Sequence, residues 1–370
     1  MTEKGFRAFP TARGVMAALI VCCTHALFAL IDVEPPEKVS ARVAADFAGK
    51  IPKNAAFVHY AVPAMSDQPR LPDLYPIDGV AGAPVSIILA KDEYEPGSFL
   101  VRGLRDLGKV QLEVTDLKHT RTGAVLAKEN VDLKLVKVWW QNKNAWYVYF
   151  GDTGGFKLCP ELLVNDEDLI RVDLKKQANY ARIAGEDDRI YERWINPPRT
   201  MDRRTFRTSR TVSRPPFQPM KKGFSDAKTL QPVRLPKDEF RNFFLTVRAT
   251  KDTPSGIYQG SIVLREAGKT GNREVLGEIP VSVTVLPFVL PKARTYDDLS
   301  KEMYICAYSY ISLDLIREEN GGDLALAKRQ YKEILLNQVR HNQNMHIVRS
   351  DRGGKGPETE FVLDLMREVG

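Results

Sequence analysis

The chain has 370 residues, 43% hydrophobic and 27% charged, with 54 lysines and arginines against 47 aspartates and glutamates. That composition excludes a wholly disordered chain and a multi-span membrane protein, and 25 glycines and 23 prolines without a period exclude collagen-like and low-complexity classes. The net charge of +7 invites a nucleic-acid reading, so its location has to be read before its meaning.

Lys4, Arg7 and Arg13 precede an apolar run from Gly14 to Ile31, interrupted by Thr24 and His25. A positive flank followed by an apolar run is the grammar of an export signal, and Ala26 and Ala29 are small enough for cleavage. The same run, left uncleaved, would be a membrane anchor. Residues 1–31 are thus expected to be a signal peptide or anchor, which places the protein outside the cell, in the periplasm or in the cell envelope. Cys22 and Cys23 fall in this segment, leaving Cys159 and Cys306 in regions of different character, so no disulfide framework is expected. Residues 32–54 carry prolines and charges and read as a linker.

Residues 55–290 carry the signals of strands. Segment 84–101 holds two β-rich runs separated by Glu95-Pro96-Gly97, read as a turn. Segment 109–117 alternates with period two, Val110, Leu112 and Val114 on one face against Gln111, Glu113 and Thr115 on the other. Segment 131–140 alternates similarly, and 145–150 follows an Asn-Lys-Asn turn as a hairpin partner. Segment 169–174 is a further short strand. Segments 241–250 and 256–267 flank a turn with Pro254 and Gly256, and 277–291 is a last strand ended by proline. Many short strands with frequent turns and almost no helix predict a mainly β fold, a β-sandwich.

The surplus charge is local. Residues 189–222 hold ten basic side chains and two acidic ones, which leaves the rest of the chain near neutrality. Pro197, Pro198, Pro215, Pro216 and Pro219 interrupt the segment, so it reads as a long exposed loop without regular structure. Such a loop suits a polyanion or is a solvated insertion. With no interleaved stacking aromatics and no nucleic-acid motif, no specific nucleic-acid partner is expected.

The pattern changes after 290. Segment 301–313 is an apolar run expected to be a strand buried on both faces. Segment 323–343 is a helix with a stripe of Leu324, Ala327, Tyr331, Ile334, Leu335 and Gln338. Segment 345–350 is another strand, and 357–370 a helix opened by Pro357. This β-α-β-α order predicts the first two βα units of a (β/α)8 barrel over 291–370. Two units cannot close a barrel, so the chain reads as truncated within one. The alternatives are a partner that supplies the rest and a small appendage on the sandwich.

Four stretches in order, 91–118 (KDEYEPGSFLVRGLRDLGKVQLEVTDLK), 131–141, 158–183 and 229–262, resemble the N-terminal domain of glycoside hydrolase family 123-like proteins. Segment 301–310 resembles the first barrel strand of such proteins. The resemblance implies an exported bacterial protein with a β-sandwich followed by a (β/α)8 barrel. It also implies a hexosaminidase-type activity on glycans in which the substrate's acetamido oxygen attacks the anomeric carbon. One carboxylate then orients that group and its neighbour protonates the leaving oxygen, a substrate-assisted exception to the two-carboxylate scheme. The implied Asp-Glu pair belongs late in the barrel. Asp92-Glu93 and Asp238-Glu239 are adjacent pairs but fall in the sandwich, so no catalytic residue is assigned and the fragment is expected to be inactive. The implied partner is a glycan or polysaccharide, with membrane contact only through an uncleaved anchor, and no cofactor is expected.

Candidate substrate contacts lie at the C-terminal ends of the expected barrel strands: Tyr308 with Ser309 and Tyr310 after the first, Arg349 with Ser350 and Asp351 after the second. Asp351 can equally cap a helix. Trp139, Trp140, Trp146, Tyr147 and Tyr149 form an aromatic cluster, and Trp140 is its candidate sugar platform. Trp139 and Trp140 point to opposite faces of a strand, so at least one is expected in the core. His119, His341 and His346 show no metal-ligand spacing, segment 353–358 lacks P-loop spacing, and there is no serine elbow. The sandwich alone, as a carbohydrate-binding or cell-surface protein, and polyanion binding by the arginine-rich loop are the competing functional readings.

Overall fold

A computed structural model describes residues 34–49, 51–52, 54–142, 156–184, 189–196, 199–202, 207–210, 226–268, 274–289, 306–307, 312–340, 345–346 and 357–369. The expected signal or anchor at 1–31 and the hairpin strand at 145–150 lie outside these residues.

The described chain is mainly β. Helix α1 (Pro36–Asp46) precedes β1 (Phe57–Val62), β2 (Val80–Ala81), β3 (Val85–Lys91), β4 (Glu93–Gly103), β5 (Lys109–Val114), β6 (Leu117–His119) and β7 (Val125–Leu126). Then come β8 (Val131–Asn142), β9 (Phe156–Val164), β10 (Ile170–Asp173), β11 (Ala178–Ala184), β12 (Ile190–Trp194), β13 (Arg199–Asp202) and β14 (Arg207–Arg210). The β region ends with β15 (Val233–Arg234), β16 (Phe240–Ala249), β17 (Gly256–Glu266) and β18 (Val275–Val289).

Two sheets face each other, one ordered β2-β1-β4-β16-β8-β9 and the other β15-β5-β17-β18-β3 with β6 and β7 attached to β17. Alternation drives the packing. Phe99 and Val101 of β4, Leu133 and Leu135 of β8 and Phe243, Leu245 and Val247 of β16 point inward. They meet Val85, Ile87 and Leu89 of β3, Leu112 of β5, Tyr258 and Ile262 of β17 and Val281 and Val283 of β18. Phe99 and Phe243, register neighbours, stack at 5.2 Å between ring centroids. The core between the two sheets is therefore built from residues whose period-two pattern marks them.

Several local expectations are corrected. Residues 32–54 are not a plain linker: α1 starts with Pro36 in its first turn and lays Val39 and Val43 on Val58, Tyr60, Leu100 and Phe240. This second covering makes β4 buried on both faces from Gly97 to Gly103. Glu95-Pro96-Gly97 is no turn but part of β4. Pro96 is tolerated there because β4 pairs with β1 only from Ser98 onward, so the proline has a strand neighbour on one side alone. The break falls at Asp92, whose φ of 61° is left-handed. Segment 251–255 does not close a hairpin either, since β16 and β17 belong to opposite sheets and the segment crosses between them.

The basic segment is not without regular structure. β12 pairs with β11, and β13 pairs with β14 in a two-stranded ribbon, Arg199 opposite Arg210 and Asp202 opposite Arg207. The prolines flank these strands rather than interrupt them, which removes the objection they raise.

After 290, β19 (Cys306–Ala307) and β20 (Met345–His346) pair in parallel; α3 (Leu324–Arg340) and α4 (Pro357–Val369) fall where helices are expected, and α2 (Leu313–Glu319) is an additional helix between β19 and α3. Leu313, Ala327, Tyr331, Leu335, Val362 and Leu365 form their core. The long buried strand expected over 301–313 is two residues among those described. Its end turns into α2 because Leu313 and Ile316 share one helical face against α3 and α4. A barrel of βα units is not shown: among the described residues after 290 there is one parallel strand pair.

Candidate functional site

The site grows from a place where two strands part. β16 pairs with β8 from Val247–Val131 to Phe243–Leu135 and no further, although β16 continues beside β4 to Phe240 and β8 continues beside β9 to Asn142. The register of β8 on β9 slips between Lys137 and Val138, a bulge that turns the strand away. Beyond the fork, the small sheet β10-β11-β12 takes over the freed edge of β8. Asn179, fully buried, accepts the Trp140 N–H on Oδ1 at 3.0 Å and donates Nδ2–H to the Trp140 carbonyl at 2.8 Å.

A cleft of about 430 Å³ opens in the fork. Leu135, Val136, Lys137 and Val138 line one bank and Glu239, Phe240, Arg241 and Asn242 the other. The rest of the lining is Leu158, Glu167, Val172 and Leu174 from β9, β10 and their flanks, with Arg70, Pro72 and Asp73 from the loop before β2. That loop is tied in place by the Phe240 N–H, which donates to the Pro72 carbonyl at 2.8 Å.

Of the six charged side chains that line the cleft, three, Arg70, Arg241 and Glu239, have counter-ions. Arg70 pairs with Asp78 at 2.5 Å, and Arg241 lies 3.1 Å from Glu239 while its Nε–H donates to the Arg234 carbonyl. The Glu167 carboxylate accepts the Arg234 N–H at 2.7 Å. Among the three cations Lys137 differs: its ammonium donates to the main-chain carbonyl of Glu167 at 2.8 Å, and among the described residues no carboxylate lies within ion-pair distance of it. Burial is the main influence on it and holds its pKa below the ordinary lysine range. Glu167 opposes that shift, Arg241 adds to it, and Asp168 and Asp166 oppose it again. The site therefore offers hydrogen-bond donors and acceptors of both signs between apolar walls, a lining that suits a polyhydroxylated ligand.

Tyr308, Arg349 and Asp351, the contacts expected at barrel strand ends, lie outside the described residues, as do Trp146, Tyr147, Tyr149 and His341. Trp140 is described but does not line the cleft; its indole N–H donates to the Asp173 carbonyl at 3.1 Å, which fastens β8 to the small sheet. Trp139 packs on Ile170, Ala181 and Ile183 and its indole N–H reaches Glu161 at 3.2 Å. Of the adjacent carboxylate pairs, Asp238 turns to Arg102 at 3.3 Å and Glu239 to Arg241, so they do not converge. His119, the last residue of β6, is buried and accepts the Arg121 and Thr122 N–H groups on Nδ1. Among the described residues no group of three or more metal-ligating side chains is gathered.

Lys137, Glu239 and Arg241 are absent from the sequence-derived candidates. A signal for Lys137 does exist: in Val131-Asp132-Leu133-Lys134-Leu135-Val136-Lys137 the alternation changes phase at Val136, where the bulge follows.

No protein-family model and no curated protein matches the chain. Among solved structures it is similar to a family 123 glycoside hydrolase from Clostridium perfringens studied for glycolipid glycan hydrolysis, at 9% identity and a TM-score of 0.38 over 70% of this chain and 32% of that one. The chain thus spans about a third of that hydrolase's length. It is also similar to AvmM, which catalyses macrocyclization in alchivemycin A biosynthesis, at 10% identity and a TM-score of 0.26 over 65% of this chain and 93% of that one. A third similarity is to CfaE, the adhesive subunit of the CFA/I fimbria of enterotoxigenic Escherichia coli, at 10% identity and a TM-score of 0.20 over 56% and 46% of the two chains. Likenesses of this size assign neither family nor activity.

Proposed function

We propose that this chain is a glycan-binding protein of glycoside hydrolase-like type, exported through its N-terminal segment, whose sandwich holds a saccharide in the fork between β8 and β16. The observation that carries this reading is the cleft itself, with donors and acceptors of both signs fixed on strands and apolar walls between them. The ordered segments that resemble family 123-like proteins agree with it, because 131–141, 158–183 and 229–262 take in most of β8 and β9 and all of β10 and β16, which build the fork. The hexosaminidase-type, substrate-assisted chemistry implied by the resemblance is the finer form of the proposal. Its test is an oligosaccharide array with the full chain, run beside turnover of a chromogenic N-acetylhexosaminide. Retention of at least one glycan supports the reading, and an array without any retained glycan removes it.

A second reading has its own observation. The β13–β14 ribbon lies within residues 189–222, which hold ten basic residues against two acidic ones. Polyanion binding through 199–210 predicts retention on heparin that falls steeply with salt, and retention unchanged on deleting these residues would remove it.

A further inference from the structure

We infer that the fork between β8 and β16 takes a carboxylate-bearing sugar, a uronic-acid-type residue, with Lys137 as the counter-ion of its carboxylate. This rests on the glycan-binding reading and adds the ligand's charge to it.

Among the three cations that line the cleft the pairing is asymmetric, and this points to the anion. Arg70 and Arg241 have carboxylate partners, Asp78 and Glu239, at 2.5 and 3.1 Å. Lys137 has a neutral carbonyl. An ammonium has three donors, and Lys137 spends one on Glu167. It stands on the bank of the cleft, half withdrawn from water, where its charge is costly, as the lowered pKa of the amine reflects. The charged groups acting on it are Glu167, Asp166 and Asp168 from the turn before β10 and Arg241 from the opposite bank. Glu167 is held by the Arg234 N–H and Asp168 by Lys109 at 2.9 Å, so neither closes on the amine. A ligand carboxylate in the cleft would supply the missing partner and accept a charge-assisted hydrogen bond.

Chain topology supplies the long-range part. Val172 and Leu174, in the lining of the cleft, belong to and follow β10, whose sheet ends in β12, and from β12 the chain runs on to the arginine-rich ribbon. The basic surplus of the whole protein is thus tethered to one wall of this cleft, which favours acidic over neutral chains on approach.

The test is calorimetric titration of the full chain with three probes: tri-galacturonic acid, its neutral methyl ester, and succinate. The expected result is binding of the acid, binding of the ester weaker by about tenfold or more, and no comparable binding of succinate. Lys137→Met should erase the preference for acid over ester. If that variant does not fold, acetylation of Lys137 in the wild-type chain, read by mass spectrometry, should be slowed by the tri-galacturonate. Equal affinity for acid and ester overturns the carboxylate inference and leaves the glycan reading standing. Equal affinity for succinate and the trisaccharide overturns the sugar assignment. No binding of either saccharide overturns both, and acid binding with unchanged Lys137 acetylation overturns the location.

Discussion

The side-chain amide of Asn179 lies against the main chain of Trp140 as a neighbouring strand would, accepting its N–H at 3.0 Å and donating to its carbonyl at 2.8 Å. The Asn179 backbone closes the other side, its N–H donating to Asn196 Oδ1 at 2.6 Å and its carbonyl accepting the Ile195 N–H at 2.9 Å. One buried side chain thus satisfies the edge that β8 exposes when β16 leaves it, and so lets the fork exist.

Replacing Asn179 tests this directly. Asn179→Asp keeps an acceptor for the Trp140 N–H but sets a carboxylate oxygen against the Trp140 carbonyl. A buried donor-acceptor mismatch of this kind is expected to cost about 2–3 kcal/mol. A urea melt followed by tryptophan fluorescence measures it, and a midpoint equal to wild type would mean that the amide does not hold the edge.

Gly256 is the second sensitive point. Its φ is 140°, and a Cβ there would stand 2.2 Å from Nε2 of the buried His119, which lies 3.1 Å from the Ser255 carbonyl. Gly256→Ala is expected to destabilise the sandwich by more than about 2 kcal/mol, from strain and clash together. In a His119→Ala background the clash is gone and only the strain remains, so the two substitutions should be non-additive. Thermal melts of the four proteins check this.

The seat of α1 should respond to alkaline pH. Tyr60 and Tyr75 both donate to Asp46 Oδ2, at 2.7 and 2.6 Å. Burial first, and then Asp46, push both phenol pKa values above their ordinary value of 10.0. The unfolded chain therefore loses these protons at lower pH than the folded one, so stability is full below pH 10 and falls as pH rises above it. Tyr60→Phe should flatten that alkaline decline while lowering stability at neutral pH through the lost hydrogen bond. A series of urea midpoints between pH 8 and 11, values on the order of the tyrosine range, reads both effects.

At the acid end, the hydrogen bond from Lys109 holds the Asp168 carboxyl below its ordinary value of 3.8. The associated stability is present above that value and lost as pH falls through the lowered one. Both side chains are about half exposed, so Lys109→Met is expected to cost less than about 1 kcal/mol and less still in high salt.

The sandwich was legible because Val110, Leu112, Leu245, Val247, Val281 and Val283 sit at period-two positions that survive into the packed core. Helix α1 was missed because Pro35 and Pro36 read as linker, whereas proline in the first turn opens a helix; the spacing of Val39 and Val43 was the available sign. The cleft was less legible than the core. A lysine in a strand and an asparagine beside it have no local signature, and their roles come from where β16 stops pairing, which is a tertiary fact. Trp140 has the flat ring of a sugar platform, but its position next to the fork serves fastening, with its indole N–H committed to the Asp173 carbonyl.

The central claim is that the fork binds a glycan. The most direct measurement is calorimetric titration of the best array glycan into the wild-type chain and into Lys137→Met, with both proteins shown to be folded. The account predicts saturable binding to wild type and a loss of about tenfold or more in the variant. Equal affinity in the two proteins, or no saturable binding to either, would contradict it.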